Sequence, residues 1–360
     1  MVVKETDLSK IRVLVTGSSG FLAIHCVQQL LEAGYSVRGS VRSLSNAKKV
    51  QPLYDLPLAK ERLELVEADL ENDETWISAV KECDYVLHTA SPFPLIADDS
   101  IIPIAVNGSL AVLKACAKEA SVKKVVLTSS VAAICEGHET ENHIFTEKDW
   151  TITDPKKVEA YPRSKTAAEH AAWDFMTNLS ETDNKFALTC INPSLIIGPV
   201  LLNTEGSSIA IIKRFMNNEM PALPALNIPL VDVRDVAKAH ILAMTNSGSD
   251  GERIIVTSQP SLWFRDIAKI LSKEFKPQGY SIPRFQAPKF FLCLYSHFDP
   301  EAKLILNKLD KEMKFDNSKA NGILNLQFRN PQTSLIEMAH SMIERGMIPK
   351  KSGYTKKVHF

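Results

Sequence analysis

Short β-branched runs alternate with longer stretches of helical apolar period through the first half of this chain. The strand-like runs are 11–15 (IRVLV), 37–41 (VRGSV), 63–66 (LELV), 85–89 (YVLHT), 124–130 (KVVLTSS) and 186–191 (FALTCI). Between them, 21–31 and 102–119 place apolar residues every three to four positions, and a further helical stretch spans 163–179. Strands this continuously apolar are buried on both faces, and parallel neighbours need a crossover, which packs right-handed. The pattern predicts an α/β fold with a doubly wound parallel sheet.

Beyond Pro193 the texture changes. Prolines at 193, 199, 221, 224 and 229, then at 260, 277, 283, 288 and 300, punctuate the chain into short elements. Residues 1–195 are read as a dinucleotide-binding unit and 196–360 as a smaller, interleaved substrate domain. The sheet is expected to be rejoined within about 228–258, where LVDV at 230–233 and RIIV at 253–256 return to strand pattern. The length of 360 residues agrees with two units, since single cores stop growing near ~250–300 residues.

Lys+Arg and Asp+Glu balance at 42 each, which gives no reason to expect a nucleic-acid or membrane-surface partner. The opening MVVKETDLSK is charged before any apolar run, unlike a secretory signal. No apolar stretch is read as reaching the ~18 residues of a bilayer span. The six cysteines (26, 83, 116, 135, 190, 293) lack any C-x-x-C spacing and are read as reduced, mostly core thiols of a cytoplasmic protein. The tail from Lys350 is read as a solvated end.

The glycine turn Val15-Thr-Gly17-Ser-Ser19-Gly20-Phe21-Leu22-Ala23 falls at the first strand-to-helix junction. Such turns use glycine routinely, but this is also where a backbone approaches a pyrophosphate without a Cβ in the way and a helix N-terminus faces it. The end of the second run decides which dinucleotide. NAD sites of this architecture place Asp or Glu there, on the ribose 2′-hydroxyl. This chain instead has Arg38 and Arg42, with Lys48 and Lys49 close behind. Guanidinium groups attract a 2′-phosphate that a carboxylate would repel, so NADP(H) is expected, with Arg42 carrying the preference.

Tyr161-Pro-Arg-Ser-Lys165 puts a phenol and an ammonium one helical turn apart on one face. A phenol of pKa ~10 is a poor acid–base group at neutral pH, and a nearby cation is expected to lower that value. Thr128-Ser129-Ser130 ends a parallel strand, beyond which ligands of open α/β sheets lie, and a hydroxyl there can hydrogen-bond a carbonyl. Each signal alone is common; their order and spacing together are not.

With these stretches assembled, the chain resembles an extended short-chain dehydrogenase/reductase. Within it, the likeness is to the dihydroflavonol-reductase-like branch, which includes yeast-type NADPH-dependent aldehyde and ketone reductases. The resemblance rests on VLVTGSSGFLA at 13–23, VRGSVRS at 37–43, EADL at 67–70 and VLHTASPF at 86–93. It continues through VVLTSS at 125–130, YPRSKTAAEHAAWDF at 161–175, INPSLIIGP at 191–199 and DVRDVAKAH at 232–240. It covers about 11–260, and the last hundred residues match more loosely.

The resemblance implies a Rossmann nucleotide fold and reversible hydride transfer, with NADP(H) as cofactor and a small-molecule carbonyl as substrate. It implies that Tyr161 donates the proton, Ser130 orients the carbonyl (Ser129 less so), and Lys165 contacts the nicotinamide ribose. Gly17, Ser19, Gly20, Phe21 and Leu22 would face the pyrophosphate. Asp69 and Leu70 would flank the adenine, while Thr89 and Ala90 would line the middle of the dinucleotide. Pro193 and Ile196 would border the nicotinamide, and Ser207 or Ser208 would cap a phosphate. Ala23 stands where the family's third glycine falls.

Plant flavonoid reductases of this branch carry an Asn shortly after the serine, where this chain has Val131-Ala-Ala-Ile-Cys135. An apolar wall of Val131, Ile134 and Phe93, with Phe215 and Met216, is expected to suit an aliphatic or aromatic carbonyl. No metal site is expected: His138 and His143 lack a third ligand and are read as surface residues. His88 and His240 are read as hydrogen-bonded structural residues, and Asp232 and Asp235 as cap or ion-pair residues. Two other enzymes fit the scaffold, a hydroxysteroid-type dehydrogenase and a nucleotide-sugar epimerase, and so does a non-catalytic NADP(H)-binding protein.

Overall fold

The computed structural model describes residues 7–92, 98–138, 142–288, 290 and 306–356. Seven strands form its central sheet: β1 Arg12–Val15, β2 Ser36–Val41, β3 Leu63–Glu67, β4 Tyr85–His88, β5 Lys124–Thr128, β6 Ala187–Pro193 and β7 Arg253–Val256. They lie in the order β7-β6-β5-β4-β1-β2-β3, every neighbouring pair parallel. The order reverses between β1 and β4, which opens a crevice beyond the carboxyl ends of the strands. The fold is the doubly wound α/β sheet that the alternating pattern predicts.

Helices cover both faces. Helix α1, Phe21–Glu32, packs one face with a helix at Val233–Thr245, and their Leu30, Leu31, Val236 and Ala239 are fully buried against Val13, Val15 and Ile254. Helix α2, Asp73–Val80, and helix α3, Ile101–Lys118, pack the other face together with α4, Ala160–Thr177. Trp76 of α2 is 1% exposed there. Helix α3 corrects one expectation: it has 18 residues with a mean hydropathy of 1.4, enough by length and composition to cross a bilayer. The fold uses it as the crossover from β4 to β5, with Ala105, Val112, Leu113 and Cys116 buried.

A second apolar cluster gathers α5, Ser207–Met216, a helix at Phe264–Phe275, and a helix at Pro331–Glu344. Phe215 and Met216 are 0% and 3% exposed inside it, so they have almost no surface to offer a substrate. Ile134 is likewise fully buried, in a small cluster with Phe145 and Phe315. The apolar wall expected from Ile134, Phe215 and Met216 is therefore core, and Phe93 lies outside the described residues, as does Cys293. The other five cysteines are free and buried. The tail also departs from its reading: Tyr354 is 8% exposed, its hydroxyl 2.9 Å from Nδ1 of buried His340.

Three core histidines are held neutral by burial, with pKa values pushed down to about 4 for His25, about 3 for His88 and about 4 for His240. Their ordinary value is ~6.5 in the unfolded chain, so as pH falls below that value the unfolded state takes up protons that the native state refuses. Stability is full above about pH 6.5 and is lost as pH falls toward 4, by up to roughly 1.4 kcal/mol per histidine per pH unit. A steep fall in the thermal midpoint between pH 6.5 and 4.5 is the expected result, and a flat profile would contradict it.

Candidate active site

Residues 16–20 turn the chain between β1 and α1 at the carboxyl edge of the sheet. Gly17 has φ +63°, and a Cβ there would come within 3.1 Å of the Ala90 Cβ, so its own backbone and the end of β4 both exclude a side chain. The turn is tied to β2 by the Gly17 amide, which donates to Ser40 Oγ at 2.9 Å, and by the Ser18 amide, which donates to the Ser40 carbonyl at 2.8 Å. Thr16 Oγ1 accepts the Ala90 amide at 2.9 Å and lies 2.9 Å from His88 Nδ1, while Thr89 donates to the Thr16 carbonyl at 2.5 Å. Gly20 caps α1 without a side-chain oxygen, so the first-turn N–H groups, those of Phe21 and Leu22 among them, are uncapped. Close backbone and an open helix N-terminus together fit a dinucleotide pyrophosphate.

Arg38 inside β2 and Arg42 just past its end part company. Arg38 is 7% exposed and turned inward: Nε pairs with Glu64 at 2.9 Å, and Nη1 donates to the carbonyls of Ala79 at 3.1 Å and Lys81 at 2.6 Å. Arg42 follows the strand exposed, and no hydrogen bond or ion pair engages it among the described residues. Lys48 is exposed, and Lys49 donates to the Asn203 carbonyl at 3.2 Å. Burial lowers the Lys49 pKa, Glu205 opposes this, and the Arg42 charge lowers it further, so two like charges meet beyond the end of β2.

Ser129 and Ser130 point opposite ways. Ser129 is 5% exposed and donates inward to Glu169. Ser130 caps the turn Val131–Ala133, accepting the Ala132 amide at 3.1 Å, and its side chain is hydrogen-bonded to Tyr161. Tyr161 and Pro162 lie in the first turn of α4, where proline's missing N–H costs nothing. Lys165, one turn on and 8% exposed, donates to the Thr128 carbonyl at 3.1 Å. Burial pushes the Lys165 ammonium down to about 8, with Glu169 the main opposing influence. Burial raises the Tyr161 phenol, and the Ser130 hydrogen bond is what opposes it. The spacing predicts the reverse direction, through Lys165. The difference arises because desolvation outweighs a cation that is spent on a carbonyl and is itself disfavoured by burial.

Of the remaining positions, the Asp69 carboxylate accepts the Glu71 amide at 3.1 Å and its carbonyl accepts Trp76 Nε1 at 2.9 Å. Leu70 presses on Gly108 of α3, where a Cβ would come within 3.0 Å. Leu70, Ala90, Ser129, Lys165 and Glu169 line one cavity of about 10 Å³, room for about one water. Pro193 ends β6, and Ile196 sits half-buried in a short strand, Leu195–Ile197, paired with Leu230–Asp232. Ser207 is exposed and Ser208 buried at the start of α5, behind Gly206 and without a side-chain cap. Ser19 is half-buried in the glycine turn.

His88 and His240 are hydrogen-bonded within the core, His240 Nε2 lying 2.7 Å from Thr128 Oγ1. Asp232 caps the helix Val233–Thr245 and pairs with Arg234 at 2.7 Å. His138 and His143 are partly exposed, as surface residues are, and packed on each other. Half-buried, they stack 6.1 Å apart beside Phe145, with His143 paired to Asp149 at 3.1 Å. Among the described residues no group of His, Cys, Asp and Glu could hold a metal. Three residues near the serines escape the sequence reading: Glu169, Asn192 and Arg253. Glu169 alone leaves a signal, a carboxylate four positions after Lys165 on the face of Tyr161 and Lys165.

The family model for NAD dependent epimerase/dehydratase proteins matches residues 13–257. A cinnamoyl-CoA reductase of Medicago truncatula is 39% identical over 252 residues, covering 68% of this chain and 75% of that protein. A tetraketide alpha-pyrone reductase of Arabidopsis thaliana is 32% identical over 350 residues, covering 95% and 98%. Among solved structures, the yeast methylglyoxal/isovaleraldehyde reductase Gre2, complexed with NADPH, superimposes with a TM-score of 0.76 at 29% identity, covering 94% of this chain and 99% of that one.

Proposed function

Because the chain belongs to the NAD dependent epimerase/dehydratase family, as an extended short-chain dehydrogenase/reductase, we propose that it is an NADPH-dependent reductase of a small aldehyde or ketone. One observation carries the reading: at the carboxyl edge of the sheet the Tyr161 side chain is hydrogen-bonded to Ser130, one helical turn from Lys165. Support for the coenzyme comes from the backbone cradle at Gly17, the uncapped start of α1, and an Arg42 that none of the described residues engages, where NAD sites carry an acid. The NADPH-bound yeast neighbour agrees.

NADPH, when bound, would supply the hydride that the carbonyl carbon takes up. The chain's own groups manage the oxygen. Ser130 donates to it and fixes its direction, while Tyr161 holds the proton that the developing alkoxide takes up. A phenol kept protonated by burial suits that task, since reduction needs the acid form at neutral pH. The reverse oxidation starts from phenolate and should rise with pH. Lys165 places a positive charge beside the phenolate that proton transfer leaves behind. Gly17, Ser19, Gly20, Phe21 and Leu22 would hold the pyrophosphate, with Arg42 on the 2′-phosphate. Asp69 and Leu70 would hold the adenine end; Thr89, Ala90, Pro193 and Ile196 the nicotinamide half; and Ser207 or Ser208 a phosphate. The second apolar cluster would carry the substrate side.

A panel of small aliphatic and aromatic aldehydes and ketones, followed by loss of NADPH absorbance, tests this. Turnover with NADPH well above that with NADH is the expected result. Protein that retains NAD⁺, ignores NADPH and interconverts substrates without net redox change would overturn it in favour of an epimerase.

A further inference from the structure

Beneath Lys165 and the serines lies a buried ionic cluster that the reductase reading does not use. Glu169 is 1% exposed and stands one turn after Lys165 on α4. Its Oε1 pairs with Arg253 Nε at 2.6 Å, and its Oε2 accepts Asn192 Nδ2 at 2.9 Å and the Ser129 hydroxyl. Trp173 Nε1 approaches Oε1 at 3.4 Å. Arg253 opens β7, donates through Nη1 to the carbonyls of Glu147 at 2.7 Å and Asp149 at 2.8 Å, and stacks 3.5 Å over Trp150. Asn192 also donates to the Ser130 carbonyl at 3.2 Å.

One carboxylate thus joins the strand end that carries Ser129 and Ser130 to the helix that carries Tyr161 and Lys165. Burying a charge is costly unless it is paired and fully hydrogen-bonded. A fully apolar junction would hold α4 on β6 as well. What it would not supply is a directional grip on the serines or a negative charge facing Lys165.

We propose that Glu169, anchored by Arg253, is a positioning residue that fixes Ser130 against Tyr161 and keeps Lys165 charged. The inference rests on the reductase reading above. The groups that face the Lys165 ammonium are Glu169 on α4, His88 on β4 and Cys190 on β6, with Tyr161 one turn before it on α4 and Arg253 behind Glu169. Burial keeps His88 neutral, the Cys190 thiol well above its ordinary range and the Tyr161 phenol raised, so Glu169 is the one anion among them. Lys165, pushed down to about 8 with Glu169 in place, falls further without it. Reduction that needs the ammonium then fails at a lower pH.

Glu169→Gln tests the charge, and the double variant Glu169→Gln with Arg253→Met tests it without leaving an unpaired buried cation. In both, the alkaline limb of kcat for carbonyl reduction is expected to move toward acid pH, and kcat at pH 8 to fall at least about tenfold while KM changes less. The pH dependence of the NADPH dissociation constant, read by fluorescence, should shift the same way. Glu169→Asp should restore part of the alkaline limb. If the double variant folds and binds NADPH but keeps the wild-type limb, the proposal fails. If wild-type protein reduces no carbonyl, the reductase reading fails instead.

Discussion

Tyr161→Phe is expected to abolish most carbonyl reduction while NADPH binding stays within about threefold of wild type. The phenol is a proton-bearing group hydrogen-bonded to Ser130, and phenylalanine keeps its ring, size and packing. General-acid catalysis contributes typically ~10²–10⁴-fold, so kcat should drop by that order. If, as proposed, the coenzyme is held mainly by the glycine turn and α1, KM for NADPH should barely respond. The ring's loss of its hydroxyl strands the Ser130 hydroxyl, which still caps Ala132, so the thermal midpoint should fall by only a few degrees. Single-turnover reduction together with an NADPH titration would measure both quantities. Near-normal turnover would remove Tyr161 from the reaction and leave only the nucleotide-binding shell.

The sheet is legible in the sequence because its information is local. Each strand is a continuous apolar run and each crossover helix has its own period, so Leu14, Val86 and Val126 announce burial within a few residues of themselves. The Tyr161/Lys165 pair and the glycine turn are local too, one helical turn and one strand-to-helix junction. What escaped depends on distant partners. Arg253 meets Glu169 across 84 positions of sequence, and no spacing reports that. Val131-Ala-Ala-Ile-Cys135 is apolar in sequence, yet apolarity alone cannot say whether Ile134 faces a ligand or the core; packing on Phe145 and Phe315 decides for the core. The direction of the Tyr161 pKa departs from the sequence expectation for the same reason: a nearby lysine is visible in one turn of helix, whereas desolvation depends on how the chain closes around the phenol. Arg38 and Arg42, four positions apart, share a face of the extended chain, so alternation does not separate them; the place of Arg38 opposite Glu64 on β3, and of Arg42 just past the end of β2, does.

That separation yields a contrast of two substitutions. Arg42→Asp should swing coenzyme preference: it removes a guanidinium free to grip a 2′-phosphate and supplies a carboxylate that repels it and accepts from a 2′-hydroxyl. A hydrogen bond to a charged group is worth ~1.5–3 kcal/mol, and repulsion adds to its loss, so the ratio of kcat/KM for NADPH over NADH should fall by about 10²-fold or more. Stability should hardly move, since Arg42 is exposed and engages no partner among the described residues. Arg38→Ala should do the opposite. It unpairs Glu64 and leaves the carbonyls of Ala79 and Lys81 with only the weak Cys83 thiol as donor, at a cost of roughly 1–3 kcal/mol for such groups, and so lowers the thermal midpoint while the coenzyme ratio stays put. Measuring the two ratios and the two midpoints side by side separates electrostatic selection of the coenzyme from upkeep of the sheet. An unchanged ratio in the Arg42 variant would move the selection elsewhere, with Lys48 the next cation to test.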